Sequence, residues 1–151
     1  MSLSRVPTVL DALVALFTPG LAPVPVWDGP VPSGDFSDAL YLGYDADPLG
    51  ERKASESTTT WAGIGAKKRD EVITIFGAAI AISGDGIPKD ARDRAYAILA
   101  AAEQLLRNDP SMAQPPPFVA SISNTQLFWD WLENLGLQAR LAFQIDVETR
   151  V

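Results

Sequence analysis

The sequence contains neither cysteine nor histidine. That removes disulfides, thiol nucleophiles, zinc sites of the usual ligand sets, Ser-His-Asp triads and imidazole acid–base work together. Long apolar runs are also missing. No stretch approaches the roughly 20 apolar residues of a membrane span. The N-terminal apolar run from Val6 to Phe17 is short, holds Asp11 and meets Pro19-Gly20 instead of a cleavage site. The expectation is a soluble chain without a secretory leader, made in the cytoplasm. Basic residues are few, with 12 Lys and Arg against 19 Asp and Glu and a formal net charge of -7. That balance argues against holding nucleic acid through phosphate contacts, which need clustered Lys and Arg.

What is present suits one globular domain. The 151 residues are 47% hydrophobic, enough to bury a real core. The clearest element is an amphipathic helix from Pro88 to about Arg107. Pro88 fits its first turn. Ala91, Ala95, Ile98, Leu99, Ala102, Leu105 and Leu106 recur at spacings of three and four and form one apolar stripe. Asn108-Asp109-Pro110 stops it. A shorter helix is expected from Thr8 to Phe17, ended by Pro19-Gly20.

Strands account for most of the rest. Leu21 to Asp28 carries prolines at 23 and 25, which predicts an irregular or edge strand. Leu40 to Tyr44 is a second short strand. Ser55 to Trp61 is polar and β-branched, as in a solvent-facing or partner-facing strand. Asp70 to Ser83 is long and apolar on both faces. Its larger row is Val72, Thr74, Phe76, Ala78, Ile80 and Ile82, and that row is expected to meet the helices. Phe118 to Leu127 alternates in part. Leu137 to Glu148 alternates apolar and polar residues, which marks a half-buried antiparallel strand. Strands in runs with helices on one side predict an α+β domain over 1–151. Its mostly antiparallel or mixed sheet would pack on the long central helix and the short N-terminal one. A long protruding loop is expected over about 47–69.

Candidate functional residues fall into groups. Lys67, Lys68 and Arg69, with Arg52 and Lys53, form the dense basic stretch of an acidic chain. One reading is a charged contact to a neighbouring subunit or partner protein, and the other is a solvated hairpin tip. Trp61 reads as an interface anchor or as cover for a small core under the loop. Trp27 reads as core. Phe128, Trp129 and Trp131 are too many large aromatics for one face, so some are expected to reach a second subunit. Asp28, Asp35, Asp38, Asp45 and Asp47 sit in turns, where Asp serves local hydrogen bonding, and a carboxylate metal or acid–base site is the rival reading. Ser83 and Lys89 lack the surroundings of a serine–lysine pair. No catalytic, cofactor or metal residue is assigned.

Several stretches carry a resemblance in order and spacing. They are Val6-Pro7 to Leu16, Val26-Trp27-Asp28-Gly29-Pro30, Leu42-Gly43-Tyr44-Asp45, Trp61 through Glu71, Ser83-Gly84-Asp85 and the strand Arg140 to Val147. Together they resemble the tail terminator proteins of long, non-contractile-tailed phages, especially those of actinobacterial hosts. The resemblance implies a small α+β virion protein that is not an enzyme and needs no cofactor. It also implies a homo-hexameric ring that caps the tail tube protein, ends its polymerisation and joins the tail to a head-completion or stopper protein at the neck. DNA would pass through the lumen without sequence-specific binding. The alternatives are a neighbouring head–tail connector, a small enzyme with an acidic site, or a monomeric ligand-binding domain with a deep apolar pocket.

Overall fold

The computed structural model describes residues 3–30, 38–47, 49–51, 53–63, 65 and 67–151. Arg52 and Asp35 lie outside the described residues. The fold is α+β, with helices on one face of a mixed sheet. Helix α1 spans Val6–Leu21 and α2 spans Pro88–Asn108. The strands are β1 (Val26–Asp28), β2 (Ala39–Leu42), β3 (Ser55–Trp61), β4 (Arg69–Ser83), β5 (Phe118–Leu132) and β6 (Gly136–Arg150).

Strands β4, β6 and β5 lie side by side, antiparallel, and each has 15 residues. The far margin of β4 is shared. Its first half pairs with β3 and its second half with β2, and β1 adds to β2 in parallel. The prolines before β1 leave it three residues at the sheet margin, as proline-bearing strands require.

Helix α2 forms where its periodicity predicts. Ala91, Ala95, Ile98, Leu99, Ala102 and Leu106 are buried in one core with Val9, Leu13 and Phe17 of α1. Helix α1 extends past its expected limit and takes Pro19 into its last turn. The two helices approach closely at Gly20, where a Cβ would lie 2.5 Å from Leu105 Cδ1.

The core face of β4 is the reverse of the sequence expectation. Ile73, Ile75, Ala79 and Ala81 meet the helices, whereas Val72 is 51% exposed on the other face. Register explains this. Ile73, Ile75, Ala79 and Ala81 lie opposite Val147, Ile145, Leu141 and Ala139, the apolar row of β6. That strongly alternating strand fixes which face is core, and β4 follows it. Small residues on β4 then admit α2, whose contacting face is itself rich in Ala. At Gly77 a Cβ would sit 2.6 Å from Phe143 Cζ, so the missing side chain makes room for the ring of the neighbouring strand.

The aromatic stretch is also part of the sheet. β5 runs unbroken through Phe128, Trp129 and Trp131, with one irregularity between Ser123 and Thr125. Asn124 takes a positive φ of 44° there, as an extra residue in a bulge often does. The bulge changes which residues face the helices, and this masks the alternation in the sequence.

Candidate assembly surface

Helices cover one face of the sheet. On the other, polar residues of neighbouring strands bond across the ladder. Asp146 accepts from Ser123 Oγ at 2.6 Å and from Thr74 Oγ1 at 3.3 Å. Arg150 Nε donates to Asp70 at 2.7 Å. Arg140 is 6% exposed, donates from Nε to Asp130 at 3.2 Å, and stacks its guanidinium 4.4 Å from the Phe128 ring centroid. Gln138 donates to the same Asp130 carboxylate. The desolvated cation is thus held by one charge partner and one aromatic face. Val72 and Val119 flank Glu148 and stay more than half exposed.

A groove of about 500 Å³ crosses this face between the Asp45–Asp47 turn and the β5 bulge, with Phe76, Gln126, Phe128 and Arg140 in its lining. Both carboxylates serve their own turns. Asp45 Oδ1 accepts from the Asp47 N–H and Asp47 Oδ1 from the Leu49 N–H, each at 3.0 Å. This is the local bonding expected of Asp in turns. No group of three or more acidic side chains converges as a metal site among the described residues.

The predicted interface residues separate into two places. The first is the β3–β4 hairpin. Lys67 and Lys68 are exposed at its tip, and the Lys68 carbonyl accepts from the Ala62 N–H at 3.1 Å. Trp61 is 67% exposed, so it is not buried under the loop, and the Arg69 guanidinium lies 6.0 Å from its ring centroid. Arg69 also donates to the Leu3 carbonyl. Lys53 pairs with Glu56 at 2.5 Å, and that hydrogen bond, with the charge behind it, raises the lysine pKa. β3 is exposed along nearly its whole length.

The second place is the free half of β5. Trp131 is 75% exposed and Trp129 43%, both on the helix-bearing face by register, and Phe128 takes the opposite face. Trp131 also lies against Gly86, in the turn before α2, where a Cβ would be 3.4 Å from its ring. Trp27 is only half-buried on β1, and its indole N–H is buried without a partner among the described residues. Ser83 and Lys89 do not pair. Ser83 Oγ accepts from the Ile87 N–H, and Lys89 pairs with Asp93.

Two features escaped the sequence. One is the near-complete burial of Arg140, which stands in the polar row of β6. The other is Glu71, 1% exposed, whose carboxylate accepts from the Arg5 N–H at 2.8 Å and from Ser4 Oγ. It satisfies a donor at the start of α1 from another element. An acidic residue opening a strand gives no sign that a helix terminus lies over it.

The fold and these surfaces define a two-layer α+β domain whose sheet, among the described residues, has one face clear of helices and exposed strands at both margins. No family model matches the chain, and no curated protein matches it either. No helix among the described residues is long and apolar enough to cross a membrane.

Proposed function

We propose that this chain is a structural virion protein, a phage tail terminator that works as a ring at the end of the tail tube. The supporting observation is the exposed β5 half with Trp129 and Trp131, at the margin of a sheet whose second margin, β3, is also exposed. A long apolar strand edge on a lone monomer invites uncontrolled pairing, and defined neighbours remove that hazard. The resemblance in residue order to tail terminators supplies the identity of the assembly.

In this reading six copies form the ring. One ring surface matches the last ring of tail tube protein, and the other offers no site for a further tube subunit. The head-completion or stopper protein docks there. Interface complementarity is the whole mechanism, and no bond is made or broken. The hairpin tip with Lys67 and Lys68 contributes charge to the tube contact, setting register and encounter rate. DNA passes through an acidic lumen that does not trap phosphates.

The test is tube capping. Purified tail tube protein is allowed to polymerise with and without this protein, and tube lengths are read in electron micrographs. The reading expects shorter tubes, each ending in an annulus. Unchanged lengths with bare tips would contradict it.

A further inference from the structure

We infer that copies of this chain join through their sheets, with the free half of β5 in one copy pairing antiparallel to β3 of the next. This rests on the ring reading above and specifies the contact that builds the ring.

The argument begins with which backbone groups are unused. The first half of β5 is guarded, because the Ala120 N–H donates outward to the Pro110 carbonyl at 3.1 Å. That bond also identifies the outward-facing residues. Backbone groups in an antiparallel strand alternate between its two neighbours. Carried across the bulge, the alternation turns Thr125, Leu127, Trp129 and Trp131 outward. No backbone partner meets them among the described residues. On β3, the Phe76 N–H donates to the Ala54 carbonyl and the Ala62 N–H to the Lys68 carbonyl. Even-numbered residues therefore point to β4, and Ser55, Ser57, Thr59 and Trp61 turn outward. Each margin thus presents four consecutive outward residues.

The side chains agree with the backbone. The outward residues of β5 lie on the helix-bearing face, since Trp129 is opposite Ala139 and Trp131 opposite Leu137. The outward residues of β3 lie on the same face, since Ser57 is opposite Ile73. Joining the margins by hydrogen bonds therefore continues the sheet without turning it over. A slip of one residue would break both agreements at once. In the matched register Trp131 and Trp129 meet Ser55 and Ser57, so large rings cover small side chains. Thr60 meets Gln126 on the other face.

Direction agrees as well. β3 and β6 are both antiparallel to β4, and β5 is antiparallel to β6, so β5 and β3 run in opposite senses. The contact uses two different surfaces and is head-to-tail, the kind that generates rings when the rotation closes. β3 lies beside the first half of β4, while the free half of β5 is level with the second half. Neighbours are therefore staggered along the strands by about 30 Å. Four strands per copy span only about 19 Å, so a ring closed this way requires strands tilted more steeply than the roughly 35–45° of ordinary barrels. The helix layer takes the wider outer circumference. The face bearing Asp130, Asp146 and Glu148 then lines the lumen.

The absence of cysteine makes the test clean. In the full chain, Thr60→Cys is combined with Gln126→Cys, two exposed positions on the same face, and the protein is oxidised. Thr58→Cys with Gln126→Cys covers a slip of two residues. The control, Thr59→Cys with Gln126→Cys, puts the thiols on opposite faces. The inference expects a reducible ladder of multimers from a same-face pair and none from the control. Ring-sized particles without cross-links would overturn the edge pairing while the ring reading stands. Equal ladders from the control would also overturn it. A chain that stays monomeric and uncross-linked at every concentration, and leaves tail tubes uncapped, would overturn both.

Discussion

Glu71 and Arg5 are 66 residues apart in sequence, yet the Glu71 carboxylate accepts the Arg5 backbone N–H at 2.8 Å. This bond ties the first turn of α1 to the long strand β4. Arg5 in turn donates to Gln114 at 2.6 Å and lies over the Phe118 ring, so the start of α1 is fixed to two strands and a loop. Glu71→Ala leaves a part-buried donor at the start of the helix without its side-chain partner. The expected cost is about 1–2 kcal/mol, by analogy with lost N-caps. Urea denaturation of the two proteins measures it, and an unchanged midpoint would count against the capping role.

Gly77 should tolerate no side chain. A Cβ there lies 2.5 Å from the Tyr41 carbonyl oxygen and 2.6 Å from the Phe143 ring. Gly77→Ala is expected to destabilise by about 1–3 kcal/mol, as overpacking does. The Phe143→Leu change in the same chain should lose less in the Gly77→Ala background than alone. Thermal melts of the four proteins check this coupling.

Proline distinguishes the two sides of β3. The Thr59 N–H points away from β4, so Thr59→Pro should keep the hairpin and remove a donor from the outer edge. Thr58→Pro removes a bond inside the ladder and should loosen the hairpin itself. Circular dichroism and particle mass together read this out. Thr59→Pro is expected to fold and fail to assemble. A Thr59→Pro chain that assembles like the parent would argue against β3 as a joining edge.

The hairpin tip offers a charge test. Lys67→Glu with Lys68→Glu changes two exposed side chains. Exposed substitutions of this kind generally alter stability by less than about 0.5 kcal/mol. The fold should therefore persist while tube joining is lost. Normal capping by the double variant would remove the tip from the contact.

Much of this fold could be read from the chain because period and punctuation agree. The stripe from Ala91 to Leu106 gives α2, and the alternation from Leu137 to Val147 gives β6. The polar run at Ser55–Trp61 gives a strand that is indeed exposed. The core face of β4 was not legible, because both of its faces are apolar and only pairing with β6 decides between them. The full length of β5 was hidden by the bulge at Asn124, which shifts the alternation just before the aromatics. Of the candidate interface residues, Trp61, Lys67, Lys68 and Trp131 are exposed. Arg140 and Glu71 were missed for one reason. Their burial comes from partners distant in sequence, Asp130 and Phe128 for one and the start of α1 for the other.

The mass of the particle in solution tests the central claim most directly. Light scattering after size exclusion, at two protein concentrations, compares it with the 16.2 kDa of one chain. Assembly through a closed ring predicts a particle of about six chains at both concentrations, or at the higher one alone if closure is weak. A single chain at both concentrations that stays single when tail tubes are added would contradict the account.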